Sequence, residues 1–119
     1  MDEDTHDEVY CAVYQHAIEL LGGRWTGAIV RALLGGMTRF NDITAAIPGL
    51  SDRMLAERLR ELEAEGLLTR DVIPEMPVRV EYHLTQKGLA LSSVIDALVV
   101  WLTEWADEAP APVAHAPTA

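Results

Sequence analysis

The sequence predicts a mainly α-helical domain closed by one small β-hairpin, an α+β arrangement with two helices meeting at a turn before the hairpin. Three observations carry this. Residues 38–65 hold two short stretches with apolar residues at helical spacing, parted by Pro48-Gly49. Residues 67–84 hold two strand-like runs parted by Pro74-Glu75-Met76-Pro77. Residues 85–107 again repeat apolar side chains at helical spacing. A helix-turn-helix followed directly by a hairpin is the outline of a winged helix-turn-helix, whose second helix is shaped to lie in a DNA major groove.

Each element has a local cause. Residues 1–8 are polar, and Asp2, Glu3, Asp4, Asp7 and Glu8 make them an acidic leader expected to be disordered. Val13, Ala17, Leu20 and Leu21 predict a helix over 9–21, broken by Gly22-Gly23. Trp25, Ile29, Ala32 and Leu33 predict a second over 24–34, ended by Gly35-Gly36. Met37-Thr38-Arg39 has room for one small strand against the later hairpin. Phe40, Ile43 and Ile47 give the first helix of the pair an inward face, and Pro48-Gly49 forces the turn. Leu50 is placed to fill the angle between the two helices.

The second helix of the pair is expected over 52–65. Ser51 is a good N-cap and Gly66 a stop. Leu55, Leu59 and Leu62 share one face, while Arg53, Ala56, Glu57 and Arg60 lie opposite. Strands are expected over 67–73 and 78–84, where Val78, Val80, Tyr82 and Leu84 alternate with Arg79, Glu81 and His83. Thr85 caps a last helix reaching about residue 107. Along it Leu91, Ile95, Leu98, Leu102 and Trp105 recur at helical spacing, and Val94, Val99, Val100 and Trp101 add further apolar surface. One small core cannot cover so much, so a second subunit is expected, joined through the N- and C-terminal helices into a homodimer. The Ala/Pro tail over 109–119 is expected to be disordered.

The totals narrow the function. A chain of 119 residues fits one domain, here 9–108. It has no run of about 18 apolar residues and no basic-then-apolar start, so a soluble, cytoplasmic protein with no membrane partner is expected. The single Cys11 excludes an internal disulfide and suits a reducing compartment. A net charge of −10 is unusual for a nucleic-acid binder. Yet between Arg24 and Arg60 six arginines face three acids, a local excess of three positive charges. Enzyme chemistry finds no support. His6, Cys11 and His16 are five apart, which is no zinc spacing, and phosphate loop, nucleophile elbow and HExxH are all missing. No metal, cofactor or catalytic residue is expected.

Ser51, Arg53 and Glu57, near the start of the second helix, are placed to meet base edges. Arg53 suits guanine, and Glu57 can accept from a cytosine amino group. Arg60 lies further along the same face and suits a phosphate, as do Thr38, Arg39 and Asn41 near the first helix. Arg79 beside the hairpin tip suits a further phosphate or minor-groove contact, unless Glu75 or Asp71 takes it in a salt bridge. Arg58 is turned toward the apolar side and suits an internal ion pair. Cys11 near a helix start can act as a redox sensor, although Asp7 and Glu8 oppose its thiolate. Tyr14, Trp25, Trp101 and Trp105 can line a pocket for a small-molecule effector, or simply be core. The competing function is a winged helix that dimerises and binds protein instead of DNA, which the net charge favours.

The chain also resembles a known family. The resemblance rests on Cys11, Gly22-Gly23-Arg24-Trp25-Thr26, Arg39-Phe40-Asn41-Asp42-Ile43, Ile47-Pro48-Gly49-Leu50-Ser51, Leu55, Arg58-Leu59-Arg60-Glu61-Leu62, Gly66-Leu67, Pro77 to Thr85, and Gly88. In this order they are similar to the HxlR-type transcriptional regulators, relatives of the MarR winged-helix group, over residues 11–106. The resemblance implies a homodimer on a pseudo-palindromic operator, with the terminal helices forming the dimer. It also implies a signal read by an N-terminal cysteine or by a small ligand. Ala12 stands where a proline often follows the cysteine, and the acidic leader and Ala/Pro tail also depart from the pattern.

Overall fold

The computed structural model describes residues 3–107, with side chains from residue 8 onward. The elements run α1 (Glu3–Leu21), α2 (Thr26–Leu34), α3 (Phe40–Ala46), α4 (Asp52–Ala64), β1 (Leu68–Ile73), β2 (Arg79–Leu84), α5 (Gln86–Leu89) and α6 (Leu91–Glu104). β1 and β2 form an antiparallel hairpin in which Leu68 faces Leu84, Arg70 faces Tyr82 and Ile73 faces Arg79. The core is gathered from α2, α3, α4 and the foot of the hairpin: Ile29, Val30, Ile43, Leu55, Leu59, Leu62, Leu67 and Leu68 are all buried. Leu50 is buried in the angle between α3 and α4, as the turn before it requires.

Both expected caps form. The Met54 amide donates to Ser51 Oγ at 3.1 Å, and the Gly88 amide donates to Thr85 Oγ1 at 3.1 Å. Thr85 also donates its hydroxyl to the Gly66 carbonyl at 2.6 Å, which ties the end of α4 to the start of α5. Gly88 lies against the Leu67 carbonyl so closely that a Cβ there would overlap it. Only glycine lets α5 approach the foot of the hairpin this way.

Several expectations are corrected. α1 begins at Glu3, inside the stretch expected to be a disordered leader. Acidic residues in a first helical turn suit the partial positive charge there, so an acidic segment can open a helix as well as fray. Met1, Asp2 and the Ala/Pro tail over 109–119 lie outside the described residues. α2 begins at Thr26, not Arg24, because Trp25 sits at φ 75°. That left-handed geometry costs a non-glycine residue about 1–2 kcal/mol. Packing offsets it: Trp25 lies against the core and the Gly49 turn, under the Arg24 guanidinium at 5.2 Å. Gly49, at φ 88°, holds a conformation that L side chains rarely adopt, and a Cβ there would press on the Trp25 ring at 3.2 Å. The strand expected over Met37-Thr38-Arg39 reduces to one backbone bond, Tyr82 N–H to the Thr38 carbonyl at 2.8 Å. The single terminal helix is divided at Ala90 into α5 and α6.

The two terminal helices are incompletely covered. Leu20 of α1 packs on the core and His16 meets Glu65, the residue that caps the end of α4, at 2.7 Å, while Tyr10, Val13, Tyr14 and Ile18 are half-exposed or more. Leu91 and Ile95 of α6 pack on the core, but no residue of this helix is fully buried. Beyond Ile95, Leu98, Val99, Val100, Trp101, Leu102 and Trp105 all remain exposed.

Candidate nucleic-acid interface

α4 is divided lengthwise by its sequence. Leu55, Leu59 and Leu62 are buried in the core, and Arg53 on the other side is 88% exposed. Ser51, at the N-cap, and Arg60, two turns on, are also exposed. Glu57 sits one turn after Arg53, with 3.4 Å between Arg53 Nε and Glu57 Oε1. An exposed pair at that distance contributes little, so both groups are free to exchange one another for base edges. Arg58 does what its rotated position suggested. Its Nε donates to the Arg24 carbonyl at 2.9 Å and its Nη1 pairs with Glu61 at 3.1 Å, which fastens α4 to the turn before α2.

Thr38 and Arg39 lead into α3 and border an open cleft with Asp42; Asn41 is exposed in the first turn. Arg39 has no carboxylate within ion-pair distance among the described residues. Arg79 differs. Its Nη2 lies 3.3 Å from Glu75, and its Nε lies 2.9 Å from Glu81 Oε2 as an ion pair rather than an aligned hydrogen bond. The expected wing contact is therefore largely spent inside the wing, with Glu75 as foreseen and with Glu81 in place of Asp71. Glu81 also bonds His83 Nε2 at 2.9 Å. That bond holds the Glu81 carboxyl below the usual carboxylate range. Desolvation works against it, and the charges of Arg79, His83 and Arg39 add to the lowering. The folded value is the depressed one, so this contribution to stability is complete above the ordinary carboxylate range and is lost as the pH falls through the lowered value.

The expected sensor and pocket residues are placed differently. Cys11 is exposed on α1. Because α1 starts at Glu3, Cys11 lies more than two turns inside it, and the field of the amide dipoles fades within the first turn. Cys11 therefore lies beyond the reach of that helix start. Tyr14, Trp101 and Trp105 are each more than half exposed, whereas Trp25 packs on the core beside Gly49. The four residues line none of five clefts found among the described residues. A cation missed in the sequence is Arg70 on β1, exposed and beside Arg60 in a cleft between α4 and the hairpin. The register of the hairpin places it opposite Tyr82, on the side that carries Leu68 and Leu84.

No helix of the described residues is long and apolar enough to cross a membrane, and no group of three or more metal-ligating side chains is found among them. Residues 20–110 match the model of the HxlR-like helix-turn-helix family. An uncharacterised HTH-type transcriptional regulator of Bacillus subtilis, YvaP, is 52% identical over 97 residues, covering 82% of this chain and 90% of the relative. The reduced form of the B. subtilis transcriptional regulator YodB superposes with a TM-score of 0.74 at 44% identity, over 81% of this chain and 94% of that one. YodB also matches in diamide-treated and quinone-bound forms. The redox regulator HypR in its reduced form gives a TM-score of 0.72 at 33% identity, over 79% of this chain and 93% of that one.

Proposed function

The chain belongs to the HxlR-like helix-turn-helix family and is a DNA-binding transcriptional regulator, and from this premise we propose that it grips a pseudo-palindromic operator as a homodimer. The observation that carries the reading is the lengthwise division of α4: one face is core, and the other offers Ser51, Arg53, Glu57 and Arg60 to a groove. Ser51, Arg53 and Glu57 read bases. Arg60, with Thr38, Arg39 and Asn41, holds phosphates. The half-exposed stripe of α1 and the uncovered end of α6 form the seam between subunits, which sets the two copies of α4 about 34 Å apart on successive major grooves.

Selection from a random DNA pool tests this directly. The wild type is expected to enrich a two-fold symmetric sequence with half-sites one helical turn apart. Arg53→Ala is expected to bind each half-site about 1–3 kcal/mol more weakly and to lose preference at one base position in each half. Unchanged affinity and preference in Arg53→Ala would show that α4 meets DNA in another orientation.

The signal is a thiol-reactive one, read by Cys11. Its support is the exposure of this one cysteine on the seam helix and the kinship with YodB, solved with diamide and quinone. Diamide is expected to change operator affinity of the wild type and to leave Cys11→Ser unaffected; equal responses would remove the cysteine from the mechanism. An effector pocket for a small molecule would draw on Tyr14, Trp101 and Trp105 at the seam, with Trp25 remaining a core residue.

A further inference from the structure

The hairpin carries two arginines on opposite faces, in opposite electrostatic surroundings. Cross-strand partners share a face of a sheet. Leu68 with Leu84, Arg70 with Tyr82, and Val72 with Val80 therefore lie on one side. Leu68 is buried, and Tyr82 and Leu84 pack on the core, so this side turns toward α4. Thr69, His83, Asp71, Glu81 and Arg79 lie on the other. There the charges satisfy one another: Arg79 is held by Glu75 and Glu81, Glu81 takes His83, and Asp71 accepts from Thr69.

On the inner side Arg70 is exposed and has no carboxylate within ion-pair distance among the described residues, and the same holds for Arg60 of α4. Both line one cleft of about 350 Å³ with Tyr82, Ala56, Leu59 and Glu63. Glu63 is the one acid against two guanidinium groups. Two arginines from two elements thus converge on a cleft whose charge the fold does not balance. An anion would balance it, and a planar guanidinium suits a phosphate, which it can hold through two parallel bonds.

We propose that this cleft seats one backbone phosphate of the operator, held by Arg60 from the helix and Arg70 from the hairpin, and that Arg70 rather than Arg79 is the wing's phosphate contact. The assignment rests on the operator-binding reading above and adds to it the residue that fixes the hairpin on the duplex. A contact of this kind carries no base information; it sets register and contributes to the salt dependence of binding.

The experiment follows operator binding of the wild type, Arg70→Ala, Arg70→Lys and Arg79→Ala by fluorescence anisotropy over a fourfold range of salt. Arg70→Ala removes one phosphate contact from each subunit of the dimer and is expected to flatten the log–log salt slope by about two units, so that the affinity lost across the range becomes about 12-fold smaller. Arg70→Lys keeps the charge and is expected to keep the slope. Arg79→Ala is expected to keep it too, its charge being already compensated. A wild-type slope in Arg70→Ala, or equal flattening in Arg70→Lys and Arg70→Ala, overturns the phosphate seat while the operator-binding reading stands. Flattening in Arg79→Ala alone reverses the assignment and overturns it likewise. A wild type that binds no duplex at the lowest salt overturns both.

Discussion

A Leu98→Glu, Trp101→Glu double variant is expected to be a monomer that holds the full operator about 10²–10⁴-fold more weakly than the wild type. Both side chains are more than half exposed, so charge at these positions does little to the subunit's own core. What it removes is the apolar surface left over after α6 has docked Leu91 and Ile95. Two carboxylates per subunit would then face their copies across the seam, where desolvation and like charge both oppose association. Each α4 keeps its groove face, so half-site binding survives. The loss comes from unlinking the two readers, since the second half-site is no longer met at high effective concentration. Light scattering coupled to gel filtration, followed by a shift assay on full and half operators, checks both parts. A dimeric variant, or a monomer with undiminished operator affinity, would end the two-fold reading.

The second large effect concerns the opposite side of α4. Leu55→Ala is expected to destabilise the fold by about 2–5 kcal/mol, the cost of emptying a well-packed leucine site. Leu55 is fully buried at the centre of the core. A domain of this size has about 5–15 kcal/mol to lose, so the urea midpoint should fall steeply. Arg53→Ala, two residues away and almost wholly exposed, should leave that midpoint nearly unmoved while weakening operator binding. Urea titration of both variants beside their binding curves separates the two roles. A stable Leu55→Ala protein would mean that the core repacks around the vacancy.

How far the sequence could be read follows from which forces are local. The α3–turn–α4 unit was legible because its signals lie within a few residues: the spacing of Leu55, Leu59 and Leu62, the Ser51 cap, and Pro48-Gly49. The hairpin followed from period two in β2, and Thr85 from its cap. The misreadings needed information from across the fold. Nothing beside Trp25 announces a left-handed backbone; it is held by contacts with Gly49, more than twenty residues away. For Arg79 the sequence offers Glu75 and Asp71 as partners but assigns Glu81 only to the alternation of its strand, and the ion pair with Glu81 depends on how the two side chains meet in the folded wing. Arg70 was passed over because β1 was read for its length and not for its faces. The helix start expected at residue 9, close to Cys11, lies six residues earlier, at Glu3. The family, in contrast, was legible from ordered motifs along most of the chain, and residues 20–110 match its model.

The two-sidedness of α4 also limits how such a regulator can acquire new targets. Leu55, Leu59 and Leu62 are committed to the interior, and Arg58 to fastening the helix. Retargeting is left to a narrow alphabet of outward positions, chiefly Arg53, Ala56 and Glu57. A library built there can explore new operators at little risk to solubility, whereas drift one step around the helix trades recognition for collapse.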